Sequence, residues 1–315
     1  MTVLAISGGV GGAKLVSGLA DILPPGELAV LANTGDDFEH LGLHISPDID
    51  SVFYALAGWN DTDRGWGRAG ETWACMEALG QIGGETWFNL GDRDLALHLE
   101  RTRRLRAGET LTSVTAELCN AAGIATRIIP MSDTPVPTIV HTAGGDLTFQ
   151  HYFVRERCAP VVTGFTHQGA SEASVPAALR AMQDEIEAVI VCPSNPFISI
   201  GPILAVGGMR DWLTGLGVPV VAVSPLIGGE AVKGPTAKMF GELGLSVTNA
   251  GLAAHYGDLL NGLVIDESDL ADADGLAIGT AITQTLMQTA DDRQRVAEVA
   301  LRLAEMIAES RSELF

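Results

Sequence analysis

The chain has 315 residues, 47% of them hydrophobic and 18% charged, a balance typical of a globular α/β protein and not of a disordered chain. Its formal net charge of −20 argues against nucleic acid or an anionic membrane as a partner, because both bind basic surfaces. No apolar run reaches membrane-spanning length, no basic stretch precedes an apolar one at the N-terminus, and the four cysteines form no CxxC pair. We therefore expect a cytoplasmic protein without a disulfide framework.

Apolar segments of strand length recur along the chain, each followed by a turn signal. In chain order they are VLAI before SGGVGGAK, LAVLA before NTGDD, TWFNL before GDRD, RIIP before MSD, AVIVC before PSNP and VPVVAVSP before LIGG. Helical patterns lie between several of them, including Leu15 to Leu23 and Val175 to Glu187, and an amphipathic helix is predicted from Asp291 to Glu309. This alternation predicts an α/β fold with a doubly wound, mostly parallel sheet.

Two regions interrupt the alternation. Residues 51–120 are mostly helical in pattern and contain the basic run RTRRLR (101–106), which we interpret as a solvated helix face. Residues 133–170 contain two β-like runs joined by AGGD, which predict a hairpin. We expect one core over residues 1–315, with a helical insertion at about 51–120 and a hairpin insertion at about 133–170.

A glycine-rich segment joins the first predicted strand to the first helix. Such a turn lets backbone N–H groups approach an anion, and the helix N-terminus adds a favourable dipole. The glycines concerned are Gly8, Gly9, Gly11 and Gly12. Lys14 follows them, and Lys233 lies beside a second glycine-rich stretch, PLIGGEAVKGP. The spacing is neither that of the P-loop nor that of the dinucleotide fingerprint, so both a phosphate-bearing ligand and a tight strand–helix turn fit.

Carboxylates follow the second predicted strand. Asp36 and Asp37 belong to NTGDD, and Asp48 and Asp50 belong to SPDID shortly after it. Open α/β sheets bind ligands at the carboxyl ends of their strands, and Mg²⁺ usually takes one or two carboxylates together with phosphate and water. The set is therefore a candidate metal or ligand site, although turn formation and helix capping explain single aspartates equally well.

Two further turns carry candidate ligand-binding groups. In GDRD, the Arg93 guanidinium could hold a ligand oxygen or could pair with a neighbouring aspartate. In PSNP, Ser194 and Asn195 could donate to a phosphate or a base edge, or could form a rigid turn with a helix N-cap. A zinc site at His40 and His44 is not expected because no third ligand is evident, and no GxSxG elbow supports covalent hydrolysis.

Taken in order, these motifs resemble the phospholactate transferase family of coenzyme F-420 biosynthesis, the CofD/FbiA family. The resemblance covers most of the chain and rests on GGVGGAKL, NTGDD, HISPDID, DRGWG, LGDRDLALH, MSD, FQHYFV, PSNPFISIGPIL and SPLIGGEAVKGP. It implies a Rossmann-like core with an inserted domain, usually as a homodimer. It also implies a Mg²⁺-dependent transfer from a guanosine diphosphate-linked three-carbon acid (lactyl, enolpyruvyl or glyceryl) to the ribityl hydroxyl of the deazaflavin Fo, with release of GMP.

The resemblance also implies roles for individual residues. Asp50 and Arg93 match positions that contact the deazaflavin, and Asp50, with Asp48 beside it, is the candidate for orienting or deprotonating the hydroxyl. Asp36, Asp37 and Asp48 match the metal site. The nucleotide and its phosphates would lie against the glycine loop with Lys14, against Ser194 and Asn195, and near Lys233.

Two alternatives share parts of this pattern. YvcK-like regulatory proteins, which bind a UDP-sugar and have no enzyme activity, have a similar glycine loop, but typically carry other motifs where this chain has SPDID and PSNP. An NAD(P)-dependent oxidoreductase is suggested by the fold alone, and fold does not establish function. Both alternatives are weaker than the transferase.

Overall fold

The computed structural model describes residues 2–231 and 234–312. The strands are β1 (Thr2–Ser7), β2 (Leu28–Ala32), β3 (Phe38–His40), β4 (Leu43–Ile45), β5 (Arg127–Pro130), β6 (Thr138–Thr142), β7 (Gly145–Thr148), β8 (Val162–His167), β9 (Ile186–Val191), β10 (Val220–Val223), β11 (Leu226–Ile227), β12 (Glu230–Ala231), β13 (Gly262–Asp266) and β14 (Gly279–Thr283). The helices are α1 (Gly9–Ile22), α2 (Pro47–Leu56), α3 (Ala74–Gln81), α4 (Asp92–Arg106), α5 (Leu111–Ala121), α6 (Ala177–Ala181), α7 (Gly201–Ala205), α8 (Met209–Gly215), α9 (Thr236–Glu242), α10 (Asn249–Tyr256) and α11 (Ala290–Ser312).

Seven parallel strands form the central sheet in the order β14-β13-β10-β9-β1-β2-β5. The chain winds from β1 to β2 and β5 on one side, and then returns to place β9 on the other side of β1. The direction of winding therefore reverses between β1 and β9. In open α/β sheets the crevice at the carboxyl ends of two such strands is the usual ligand site.

Both faces of the sheet are covered, which explains the near-continuous apolar strands. Along β1, Val3 and Ala5 pack with apolar side chains of α1, α2 and α11. Leu4 and Ile6 point to the opposite face, where they pack with residues of α7, α8, α9 and α10. The alternation follows from the two-residue period of a strand, which sends successive side chains to opposite faces.

Smaller elements interrupt this sheet. The hairpin β3–β4 and helices α2 to α5 lie between β2 and β5, and an antiparallel sheet in the order β7-β6-β8 lies between β5 and β9. Two π-helical turns, His151–Arg155 and Pro196–Ile200, follow β7 and β9. The α/β fold with a parallel sheet is confirmed, whereas the division into one core with two insertions stays a prediction.

The structure corrects several predicted elements. TWFNL is not a strand, because residues 86–90 run as irregular backbone. The predicted helix from Val175 to Glu187 shrinks to α6 and a single turn at Gln183–Glu185. The strands β13 and β14, at the far edge of the sheet, were not predicted at all. The C-terminal helix is confirmed as α11, and within the described ranges no helix is both long and apolar enough to span a membrane.

Candidate active site at the reversal of strand order

The loops after β1 and β9 contact each other directly. The Ser194 hydroxyl donates to the Gly8 carbonyl oxygen at 2.7 Å and accepts from the Gly8 N–H at 3.3 Å. A Cβ on Gly11 would lie 2.5 Å from the Pro193 carbonyl oxygen, so a side chain there would force the two loops apart. The glycine loop and PSNP therefore form one wall of the site. The Ser194 hydroxyl stabilises that wall through its hydrogen bonds to Gly8.

Helix α1 begins inside the glycine-rich segment, several residues earlier than predicted. Gly8 is its N-cap residue and provides no side-chain cap, and Gly9 has a φ of +68°, a conformation that residues with a side chain rarely adopt. Gly12 is buried under the loop, where a Cβ would lie 2.4 Å from Ser7 Oγ. The glycines thus serve close packing, and Gly8, Gly9 and Gly11 also line a cavity toward which the helix N-terminus can offer N–H groups.

Lys14 lines the same cavity, one turn further along α1. Its ammonium group donates to the Met287 carbonyl oxygen at 2.6 Å, and Met287 lines the cavity as well. The segment after β14 therefore fixes the direction of this cation. Lys233, the other lysine predicted at the phosphates, lies outside the described residues.

Asn195 serves as an N-cap, as the alternative interpretation of PSNP expects. Its Oδ1 accepts from the N–H groups of Phe197 at 2.9 Å and Ile198 at 3.3 Å, and its Nδ2 donates to Thr236 Oγ1 at 3.0 Å. Asn195, Thr236 and Ser194 still line the cavity. A role in ligand binding is therefore compatible with the capping role.

Asp36 and Asp48 lie together at the cavity wall. Asn33 Nδ2 donates to Asp48 Oδ2 at 2.9 Å and lies 3.5 Å from Asp36 Oδ1. Both carboxylates are buried, with 5% and 6% of their surface exposed. Burial raises the pKa of Asp48 to about 6, and burial together with the Asp48 charge holds the pKa of Asp36 well above its ordinary value.

This pair fits a hard cation such as Mg²⁺. Burial raises the pKa values of both carboxylates, the Asp48 charge adds to the effect on Asp36, and a divalent ion bound between them would favour their charged forms. Among residues 2–231 and 234–312 no group of three His, Cys, Asp or Glu side chains is arranged to hold a metal. Further ligands would have to come from substrate and water, which is how Mg²⁺ is usually bound.

Asp37 does not join the pair. Its Oδ2 accepts from Ser46 Oγ at 2.8 Å and lies 3.1 Å from His44 Nε2, and its side chain is absent from the cavity wall. Burial raises the pKa of Asp37, and the hydrogen bond from His44 offsets part of that effect. The predicted acidic set therefore divides into Asp36 and Asp48 at the cavity and Asp37 behind it.

Asp50 lines the cavity and forms a buried ion pair with Arg101. Arg101 Nη1 donates to Asp50 Oδ2 at 3.1 Å, and Arg101 Nη2 donates to Asp50 Oδ1. Arg101 is only 1% exposed and Thr102 is buried too, so the interpretation of RTRRLR as a solvated face is wrong for its first two residues. The reason is the helical period, because Arg101 shares the buried face of α4 with Leu97, His98 and Thr102.

The Asp50–Arg101 pair joins α2 to α4, and further polar contacts join the same two helices. Tyr54 Oη donates to Asp94 Oδ1, and His98 lies between two carboxylates, with Nε2 at 3.2 Å from Asp94 Oδ2 and Nδ1 at 3.7 Å from Asp50 Oδ2. Asp50, Tyr54, Asp94 and His98 all line the cavity. Of these, only Asp50 was predicted as a site residue.

Arg93 lies elsewhere. Its side chain is exposed on the first turn of α4 and does not line the cavity. Its Nη1 lies 3.0 Å from the position that a Cβ on Gly70 would occupy, so it contacts the loop between α2 and α3. The neighbouring carboxylates of GDRD bond to other groups, Asp92 to Thr72 and the Cys75 N–H and Asp94 to Tyr54.

Aromatic side chains that were not predicted as site residues form another part of the wall. The cavity has a volume of about 600 Å³, within the usual range for small-molecule sites, and this aromatic wall consists of Trp66, Trp87, Phe88, Phe149 and Phe153. Phe149 and Phe153 stack with ring centroids 5.4 Å apart. Trp66, from the DRGWG motif, is held by the Arg64 guanidinium 5.0 Å from its ring centroid.

These features define a class of protein. The site combines a glycine-rich helix N-terminus and a lysine at the reversal of strand order with paired acidic groups and an aromatic wall. This combination indicates an enzyme that binds a phosphate-bearing small molecule. Comparison with known proteins identifies the family. Residues 3–305 match the family model described as 2-phospho-L-lactate transferase CofD, and the chain belongs to this family of transferases.

Individual relatives support the assignment over the whole chain. The chain is 40% identical over 303 residues to the 2-phospho-L-lactate transferase of Methanosarcina mazei, with 95% of this chain and 99% of that protein covered. It is 38% identical to the phosphoenolpyruvate transferase of Kitasatospora aureofaciens, with 98% and 99% covered. A solved UPF0052-family structure from Bacillus halodurans shares the fold at a TM-score of 0.63 and 13% identity, covering 95% of this chain and 98% of that one.

Proposed function

We propose that this transferase moves a phosphorylated three-carbon acid from a guanosine diphosphate-linked donor to the ribityl hydroxyl of the deazaflavin Fo, releasing GMP and forming the F-420-0 form of coenzyme F-420. The observation that carries the proposal is one cavity lined by the glycine loop, by Asp36 and Asp48 and by an aromatic wall. Relatives named for 2-phospho-L-lactate and for phosphoenolpyruvate are similarly close, so lactyl and enolpyruvyl donors are both candidates, beside the glyceryl donor.

The donor would bind at the glycine loop. Phosphoryl transfer depends mainly on positioning and on neutralising charge, and the N-terminus of α1 with Lys14 offers both to a diphosphate. Ser194 and Asn195 would border the nucleotide, and Lys233 would add a second cation from its glycine-rich stretch. Because Lys14 stands one turn after the glycine loop on α1 and lines the same cavity, it should act on the donor and not on the deazaflavin.

Mg²⁺ would be held by Asp36 and Asp48. When bound there, the ion would supply charge neutralisation for the diphosphate and for the departing GMP. Asp37 is not counted as a third ligand because its side chain does not line the cavity, and Ser46 and His44 hold its Oδ2. Asn33 would keep the two carboxylates in place through its hydrogen bonds.

The acceptor would lie against the aromatic wall, whose flat side chains suit the fused rings of a deazaflavin. Asp50 would accept a hydrogen bond from the ribityl hydroxyl and orient its oxygen toward the donor phosphorus. Both Asp50 oxygens already accept from Arg101, which favours this orienting role over removal of the proton. Arg93 would act indirectly, through the loop that carries Trp66.

The experiment is incubation of the purified protein with Fo, Mg²⁺ and each guanosine-linked donor. Release of GMP together with the corresponding mass gain on Fo supports the proposal, and the rates rank the three acids. Binding of a UDP-sugar without GMP release from any donor would instead support the regulatory alternative. The homodimer stays a prediction, which light scattering on the eluting protein tests.

A further inference from the structure

Helices α2 and α4 are joined by a regular set of polar contacts at the cavity, beside the aromatic wall. Asp50 and Tyr54 stand one turn apart on α2, and Asp94 and His98 stand one turn apart on α4. Asp50 pairs with Arg101, and Tyr54 pairs with Asp94. Each helix therefore presents its polar groups on the face that meets the other helix.

Arg101 differs from the other members of this set because it does not line the cavity. It is 1% exposed, and its Nε has no hydrogen-bond partner among the described residues. A buried guanidinium pays a large desolvation cost that a single carboxylate seldom recovers in stability. In a chain with only 19 lysines and arginines, a buried arginine with an incomplete set of partners points to a role in the site.

We propose that Arg101 is a positioning residue of the acceptor site, which fixes the Asp50 carboxylate at the cavity wall so that its free lone pairs face the ribityl hydroxyl. The inference rests on the proposed function. The guanidinium donates to both Asp50 oxygens, and a forked pair of hydrogen bonds removes the rotation of the carboxylate about its last bond. Each oxygen keeps a second lone pair for a substrate hydroxyl.

Arg101→Met is the central variant, because methionine fills much of the same volume without a charge or a donor. Arg104→Met is its matched control on the next turn of α4, where Arg104 pairs with Glu109 and Glu117 away from the cavity. For each protein we would measure kcat and the KM for Fo and for the donor. The Kd for Fo alone would come from the fluorescence of the deazaflavin.

We expect Arg101→Met to lower kcat/KM for Fo about 100-fold, because loss of orientation at a reacting group has effects of this size. The donor KM should stay within about twofold, since the glycine loop is untouched. Arg101→Lys should recover about tenfold of the loss, because an ammonium group retains the charge and one hydrogen bond. Arg104→Met should remain within about twofold of the wild type in every constant.

The double variant Asp50→Asn/Arg101→Met guards against misfolding, because it removes both charges of the buried Asp50–Arg101 ion pair together. It should fold and should bind Fo no more weakly than Arg101→Met does, since both changes remove the same oriented carboxylate. Circular dichroism and melting temperature establish that each variant is folded.

The inference is overturned if Arg101→Met matches Arg104→Met in kcat/KM for Fo. It is also overturned if Arg101→Met is folded and its KM for the donor rises as much as its KM for Fo. Asp50→Asn alone is measured in the same way, and the inference is also overturned if its effect on kcat/KM for Fo and that of Arg101→Met multiply in the double variant. If the wild type binds Fo more tightly than Arg101→Met does but never releases GMP, the proposed transfer is refuted and the positioning role of Arg101 is upheld. A wild type that does neither would refute both.

Discussion

Asn33 donates from Nδ2 to Oδ2 of Asp48 at 2.9 Å, and this bond ties the end of β2 to the first turn of α2. The same amide nitrogen lies 3.5 Å from Asp36 Oδ1, so one neutral side chain holds two buried carboxylates in place. An amide bears no net charge and leaves their mutual repulsion uncompensated. The first two predictions follow from this arrangement.

Without Mg²⁺, Asp48→Asn should be more stable than the wild type above pH 6. The pKa of Asp48 is raised from 3.8 to about 6 by burial, so the folded state binds a proton more tightly than the unfolded chain does. Its contribution to the free energy of unfolding therefore falls as the pH rises from 3.8 to about 6, by roughly 3 kcal/mol at most. Urea unfolding in EDTA at pH 7.5 and pH 3.5 measures this, and a variant less stable at pH 7.5 would contradict it.

Added Mg²⁺ should raise the melting temperature of the wild type, because binding to the folded state alone stabilises it. Asp36→Asn and Asp48→Asn should lose this response and at least about 100-fold of kcat, given the several kcal/mol that a bound metal supplies. Asp37→Asn is the matched control, since Ser46 and His44 hold that side chain behind the cavity wall. Equal losses in all three variants would show that the division of the acidic set is mistaken.

Lys14→Met should raise the donor KM about 10- to 100-fold, the range expected for loss of a hydrogen bond to a charged group. The KM for Fo should hardly change, because Lys14 lines the cavity beside the glycine loop, where we propose that the donor binds. Lys238→Met serves as the control, since Lys238 pairs with Glu242 on α9. Unchanged donor KM and turnover in Lys14→Met would return this lysine to a purely structural role.

Arg93→Ala should raise the KM for Fo by less than about tenfold and leave kcat nearly unchanged, because the side chain contacts the Trp66 loop and not the cavity. Steady-state kinetics with Fo as the varied substrate test this. A larger effect on kcat than on KM would mean that Arg93 reaches the reacting groups.

Gly11→Ala should destabilise the fold by about 2 kcal/mol or more, because the new Cβ would lie 2.5 Å from the Pro193 carbonyl oxygen. Gly215→Ala is the matched control at the last residue of α8, where a Cβ meets nothing within 4 Å. That change should be neutral or stabilising by up to about 1 kcal/mol, since alanine favours helices. Chemical denaturation measures the free energy of unfolding of both variants. If Gly11→Ala is as stable as the wild type, the two loops can separate without cost and the prediction is wrong.

Much of the sheet is predictable from the sequence, because strands buried on both faces are apolar throughout, as VLAI and LAVLA are. Of the two strands that were not predicted, GLVID in β13 has the same apolar pattern. GTAIT in β14 lies at the sheet edge, where burial is only partial and the pattern is weaker. TWFNL has strand-like composition, but tertiary contacts override it, and Trp87 and Phe88 line the cavity instead.

The candidate site divides in the same way. Glycines and aspartates can be recognised as site candidates in the sequence, because their turn-forming and ligand chemistry depends on local motifs. Asp36, Asp48 and Asp50 do line the cavity. The burial of Arg101 can be predicted from the helical period of α4, because Arg101 lies one turn after Leu97 and His98 on the same face. The aromatic wall gives no such local signal, since Trp66, Trp87 and Phe149 come from three separate segments that only the fold brings together.

The contact between Gly8 and Ser194 spans 186 positions of the chain. No fragment that ends before β9 can contain the wall formed by the glycine loop and PSNP, and no fragment that begins after α1 can contain it either. Contacts so distant in sequence form late and slowly during folding, because the intervening chain must first be ordered. During refolding, nucleotide binding should therefore appear when β1 and β9 pair in the central sheet, and its rate would report on this late folding step.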